Sequence, residues 1–192
     1  MPRERREQLI LDVAGRVFAR AGYEAAPMDE IADLAGVSKP MLYAYFGSKE
    51  GLYLAYIERA GGELVARLVR AAPADDQSTA GIRARITEFL AFVEEHADGW
   101  TVLFHEAAST RPFAERVAQL RGRIVEAVGR MIEGSDLKYP PPAPDAIAHA
   151  IVGAGESLAN WWLEHREVPR DQVAAWYLAI VQAVLAGPAP RR

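Results

Sequence analysis

The sequence predicts an all-α fold of about nine helices. Three observations carry that expectation. Apolar residues recur at three- and four-residue spacing along most of the chain, and no stretch alternates as a half-buried strand would. Glycines and prolines fall between the periodic segments, where helices end. Hydrophobic residues fill 51% of the 192 positions, which suits one or two globular domains.

Ile10, Val13, Ala14, Val17, Phe18 and Ala21 form the stripe of a first helix, closed by Gly22. A short second helix begins at Pro27, whose fixed φ suits a first helical position, and carries Met28, Ile31, Ala32 and Ala35. Gly36-Val37-Ser38 interrupts it, and the Ser38 hydroxyl can cap a third helix in which Leu42 and Phe46 face a core. Gly47 ends that helix and Ser48 caps a long fourth, with Leu52, Tyr56, Ala60, Leu64 and Leu68 inward and Gly61-Gly62 weakening its middle.

A loop at 72–76 follows, and then three more helices. Ile82, Ile86, Phe89, Leu90 and Val93 mark the first of these. Trp100, Leu103, Phe104 and Ala107 mark the second, and Phe113, Val117, Leu120, Ile124 and Met131 the third. The prolines between Tyr139 and Pro144 forbid a helix interior. Two helices close the chain, at about 145–166 and 170–186, hinged at Val168-Pro169.

Composition removes whole classes of function. The chain has no cysteine, so disulfides, thiol catalysis, iron–sulfur clusters and cysteine zinc sites are excluded. Its net charge is −4, with no global positive excess to announce a nucleic acid. The charged start argues against a signal peptide. The apolar run 173–186 contains Gln182 and falls short of the roughly 20 residues a membrane span needs. A cytoplasmic location is expected, with no membrane, cofactor or metal.

Three short helices lie within residues 5–46, the second and third separated by a three-residue turn containing glycine. That is the helix-turn-helix arrangement, whose second helix enters the DNA major groove. The residues sharpen it. Ile31-Ala32-Asp33-Leu34-Ala35-Gly36-Val37-Ser38-Lys39, Leu42-Tyr43-Ala44-Tyr45-Phe46-Gly47-Ser48-Lys49-Glu50-Gly51-Leu52 and the earlier Gly22-Tyr23 closely resemble the TetR family of bacterial transcriptional repressors. The resemblance implies a helix-turn-helix DNA-binding domain at 1–47. It also implies a ligand-binding and dimerisation bundle at 48–192, connected by the fourth helix at about 48–71.

It further implies that Tyr45 and Lys49 hold the DNA backbone, while Lys39, Pro40, Met41 and Ala44 face base edges. Ser38 leaves the helix N-terminus open to a phosphate, and Tyr43 sets a hydroxyl at the groove edge. The sequence departs from the family at two places. Ala26 and Pro27 replace a hydroxyl that many relatives use as cap and phosphate contact, so that contact falls to backbone N–H groups. Met41 and Ala44 donate no hydrogen bonds to bases, so apolar contact with thymine methyls and DNA shape should weigh heavily. Residues 1–60 hold eight Lys/Arg and nine Asp/Glu, a net of −1. The charges are therefore expected to segregate, with Arg3, Arg5, Arg6, Lys39 and Lys49 toward DNA and Asp29, Glu30 and Asp33 away.

One reader covers half an operator, so a homodimer is expected. Ile147, Ile151, Ala154, Leu158, Trp161 and His165 line one face of the eighth helix at 4-3-4-3-4 spacing. Val173, Trp176/Tyr177, Ile180 and Val184 continue it on the ninth, and Gly153, Ala154 and Gly155 permit close backbone approach. For an effector pocket the candidates are Trp100, Phe104, His105 and Phe113 on one wall and His149, Glu156 and Asn160 on the other. A flat or aromatic, partly apolar effector is expected there, with Glu156 a weak argument for a cation.

Enzyme signatures are incomplete. Gly155-Glu156-Ser157-Leu158-Ala159 lacks the last glycine of a hydrolase elbow, and Leu158 breaks the dinucleotide fingerprint begun at Gly153. No catalytic residue is assigned. The expected function is a ligand-responsive repressor that releases a palindromic operator when a small effector binds. The alternative is a helical-bundle ligand-binding protein or enzyme that has lost operator binding.

Overall fold

The computed structural model describes residues 2–73, 76–101, 113–134 and 139–186. Among these it contains nine helices and no strand: α1 (Arg3–Ala25), α2 (Met28–Leu34), α3 (Lys39–Phe46), α4 (Lys49–Ala71), α5 (Thr79–Glu95), α6 (Ala97–Thr101), α7 (Phe113–Glu133), α8 (Ala143–Glu164) and α9 (Arg170–Leu185). The chain forms two compact units. One comprises Met1–Glu63 with His96–Gln119, the other Leu64–Glu95 with Leu120–Arg192.

In the first unit α1 packs on α2 and α6, and α2 on α3. Ile10, Val13, Ala14, Val17 and Phe18 of α1 are buried with Ile31, Ala32 and Leu42, as the periodicity requires. The fourth helix adds Leu52, Tyr53, Tyr56 and Ile57. Phe18 meets the Tyr53 ring edge-on at 4.7 Å, and Tyr23 and Tyr53 both lie against Phe113, at 4.6 and 4.5 Å. Gly22 and Gly47 adopt φ of 75° and 74°, a left-handed conformation that favours glycine, and both mark breaks that the sequence anticipates. Pro27 departs from expectation. It is the residue before the first turn of α2, with ψ 120° and no side-chain cap, and helical geometry starts at Met28.

In the second unit α9 packs on α5 and α8. Ile86, Leu90, Ala148, Ala159, Trp162, Val173, Leu178 and Val181 are buried there. Three polar side chains of this unit find main-chain acceptors. The Tyr177 hydroxyl donates to the Ile151 carbonyl at 2.8 Å, Trp162 Nε1 to Val168 at 2.8 Å, and the Tyr139 hydroxyl to Leu185 at 2.6 Å. Burial, with a smaller contribution from the charge of Glu156, pushes the Tyr177 hydroxyl's pKa well above its ordinary value.

Candidate nucleic-acid interface

The turn between α2 and α3 is fixed by its own hydrogen bonds. Gly36 N–H donates to Asp33 at 3.1 Å and Val37 N–H to Ala32 at 3.0 Å. The Ser38 hydroxyl accepts from the Met41 N–H at 3.3 Å, which caps α3, and Ser48 does the same for Gly51 at 2.9 Å. Leu42 is wholly buried and pins α3 to the core. That anchorage leaves Ser38, Lys39, Pro40, Met41, Tyr43 and Ala44 exposed, while Tyr45 is half-buried. Six of the eight residues expected at DNA thus share the outer surface of the capped helix and its N-terminal turn.

The cations are arranged differently from the expected segregation. Lys39 Nζ donates to Asp29 Oδ2 at 2.9 Å, and Arg20 Nη2 to both oxygens of Glu30 at 2.6 and 2.7 Å. Asp29 therefore stands beside Lys39 and not away from it, because the first turn of α2 adjoins the start of α3. The hydrogen bond and charge of Asp29 raise Lys39 above its ordinary pKa. Lys49, expected at the DNA backbone, donates to the Glu24 carbonyl at 2.8 Å and lies 5.2 Å from the centre of the Tyr23 ring. An ammonium carries three donors, so two remain for an anion. Arg3 lies 5.3 Å from the centre of the Tyr45 ring, which places the start of α1 beside α3.

The residues expected at a pocket and a dimer face are distributed as follows. Trp100 and Phe113 are wholly buried in the first unit, Phe113 inside the aromatic cluster. Phe104 and His105 lie outside the described residues. In the second unit Glu156 accepts from Arg121 Nε at 2.8 and 3.1 Å, and His149 Nδ1 lies 3.4 Å from the same guanidinium. Glu156 thus already has a cationic partner, which removes the argument for a cationic ligand. Arg121 carried no local signal, since it is 35 residues from Glu156. Asn160 is half-buried on the same helix.

Of the expected dimer residues, Trp161, Trp176 and Ile180 are exposed, and Ile147, Ala154, Leu158 and Val184 half-exposed. Ile151 is a correction. It is buried in its own unit, where its carbonyl holds Tyr177, because the inward face of α8 runs through Ala148, Ile151, Gly155, Ala159 and Trp162. Gly155 is a second. A Cβ there would lie 2.5 Å from the Tyr177 hydroxyl, so the missing side chain admits a tyrosine of the same chain. The serine of the near-elbow, Ser157, sits in mid-helix, without the strand-turn-helix setting a nucleophile elbow needs.

Among the described residues no cluster of His, Asp and Glu could hold a metal, and no helix is long and apolar enough to cross a membrane. A capped, exposed second helix behind a tight glycine turn defines the class: a helix-turn-helix regulator of transcription. The family follows from comparison with known proteins. A model described as "Bacterial regulatory proteins, tetR family" matches residues 10–56, and one described as "Tetracyclin repressor-like, C-terminal domain" matches residues 78–184. The chain belongs to the TetR family of transcriptional regulators, and the relatives it matches are regulators, not enzymes.

The HTH-type transcriptional activator FasR of Mycolicibacterium smegmatis is 34% identical over 173 residues, covering 89% of this chain and 78% of that protein. The HTH-type transcriptional repressor SCO4008 of Streptomyces coelicolor is 28% identical over 166 residues, covering 79% and 75%. The crystal structure of a TetR-like transcriptional regulator from Rhodococcus sp. RHA1 superposes with a TM-score of 0.81 at 36% identity, covering 98% of this chain and all of that one.

Proposed function

We propose that this chain is a homodimeric repressor that binds a palindromic operator through α3 and releases it when a small, partly apolar effector binds its C-terminal bundle. The observation that carries the DNA reading is the outward face of α3: Lys39, Pro40, Met41, Tyr43 and Ala44 stand exposed around a buried Leu42 and a Ser38 cap. Tyr45 and Lys49 flank it and serve the backbone. Residues 1–47 act as the reader, and residues 48–192 bind effector and partner.

Dimerisation is supported by the surface of α8 and α9. Trp161, Trp176 and Ile180 are 37, 43 and 43% exposed, and Trp161 lies 6.2 Å from Trp176. Large apolar groups gathered on one surface favour burial against a second copy. Two copies would set their readers on half-sites one helical turn apart, roughly 34–36 Å. An effector that favours another spacing shifts the population off the operator.

Repression needs only that the dimer occlude a promoter. The similarity to FasR, named an activator, favours a second reading in which the same operator complex recruits transcription. Selection of bound duplexes from a random pool at two salt concentrations tests the core of the proposal. A palindrome that enriches, and binds more weakly at higher salt, is expected. No enrichment by folded, dimeric protein would refute operator binding. A reporter carrying the selected palindrome then separates repression from activation by the sign of its response.

A further inference from the structure

Lys39 is the only lysine or arginine in α3, and it is held by an anion of its own chain. Asp29 Oδ2 accepts from Nζ at 2.9 Å. Asp29 lies in the first turn of α2, where the N-terminal end of the helix dipole favours a carboxylate. Its neighbour Glu30 accepts from Arg20 through both oxygens, so Asp29 alone of the two carboxylates is on Lys39. Two carboxylates in one turn thus hold two of the reader's cations. Ala26 and Pro27, which stand just before this turn, carry no hydroxyl, and α2 has no side-chain cap.

We infer that Asp29 acts as an internal stand-in for a DNA phosphate, competing for Lys39 and limiting how tightly the reader holds DNA that offers only its backbone. This rests on the reading of α3 as the recognition helix. A lone lysine that neutralises a phosphate releases condensed cations from the duplex, which is the source of non-specific affinity. A lysine paired with Asp29 brings no net charge. A phosphate that takes one of the two donors left on Lys39 must still approach beside the Asp29 carboxylate, which lies 2.9 Å from Nζ, partly neutralises its charge and repels the phosphate.

Contacts of Pro40, Met41 and Ala44 with base edges involve no such exchange. Asp29 therefore lowers the electrostatic part of binding and leaves the apolar part alone. In a cell the competing non-operator sites outnumber operators by many orders of magnitude, so a weaker hold on them leaves more regulator free. The acidic balance of residues 1–60 becomes a functional property on this account.

The test uses full-length protein and two duplexes of about three helical turns. One carries the palindrome selected by the wild type, and the other a scrambled sequence of the same composition. Asp29→Asn keeps size and hydrogen bonding and removes the charge. It is expected to bind the scrambled duplex roughly two- to fivefold more tightly at low salt, the range an exposed ion pair spans. The salt slope should steepen by about one unit per protomer, or about two for the dimer.

In a Lys39→Gln background the same substitution should give no gain, because the competition acts through Lys39. Unchanged affinity in Asp29→Asn, or an equal gain with and without Lys39, would overturn the inference, the second by assigning the effect to bulk repulsion. Circular dichroism confirms that each variant is folded. Failure of the folded wild type to bind either duplex would sink the DNA reading itself, an outcome distinct from both.

Discussion

Gly155→Ala should destabilise the protein, although alanine is the better helix former. The added Cβ would lie 2.5, 2.9 and 3.3 Å from the Oη, Cζ and Cε1 atoms of Tyr177. Ordinary contact is about 3.5–4.0 Å, so the ring must retreat by about an ångström. Tyr177 is only 7% exposed and its hydroxyl is fixed to the Ile151 carbonyl at 2.8 Å. Overpacking of this kind costs about 1–3 kcal/mol. A lost hydrogen bond adds about 0.5–1.5 kcal/mol, and the gain from replacing a mid-helix glycine returns about 0.5–1 kcal/mol.

The net is a loss of about 0.5–4 kcal/mol, with roughly 2–4 °C in Tm per kcal/mol for a chain of this size. Urea and thermal unfolding at one fixed protein concentration measure it, since a dimer's apparent stability depends on concentration. The cause is isolated by repeating the substitution in a Tyr177→Ala background. There the penalty should vanish and a gain of up to about 1 kcal/mol appear. A Gly155→Ala variant at least as stable as the wild type would refute the steric account of this glycine.

Three further outcomes are expected. Trp176→Arg places a charge among exposed apolar groups of α8 and α9, and light scattering should then report the protomer mass of 21.1 kDa with an unchanged far-ultraviolet spectrum. A mass still twice that would remove Trp176 from the interface. Stability should fall as pH rises above about 10: the unfolded chain then ionises its tyrosines, while burial, aided by Glu156, keeps Tyr177 protonated in the folded state. Tyr177→Phe should show a shallower alkaline loss in urea unfolding, and an identical pH profile would exclude Tyr177 as a cause. Lys49→Ala should weaken binding to the selected and scrambled duplexes alike and reduce the salt slope by about one unit per protomer. An unchanged slope would leave Lys49 only its tie to Glu24 and Tyr23.

The sequence by itself determined most of the described helices, the two serine caps and the helix-turn-helix arrangement. Ile10 through Phe18 repeat at helical spacing, Ser38 and Ser48 stand one residue before their helices, and Gly22 and Gly47 occur where the backbone turns left-handed. These are local properties: periodicity, capping and glycine freedom act over three or four residues, so a one-dimensional reading reaches them. The outward face of α3 was legible for the same reason, once Leu42 was assigned inward.

What only the tertiary structure decided are pairings between distant residues. Lys39 finds Asp29 across a turn, Glu156 finds Arg121 from another helix, and Gly155 makes room for Tyr177. Composition gave the charges but not their neighbours. The apolar residues of α8 and α9 show the limit most plainly. Both helices carry apolar groups on more than one side, so spacing alone could not separate Ile151, which turns inward, from Trp161, which stays exposed. That choice depends on which face α9 covers, and it exists only when the two helices are packed.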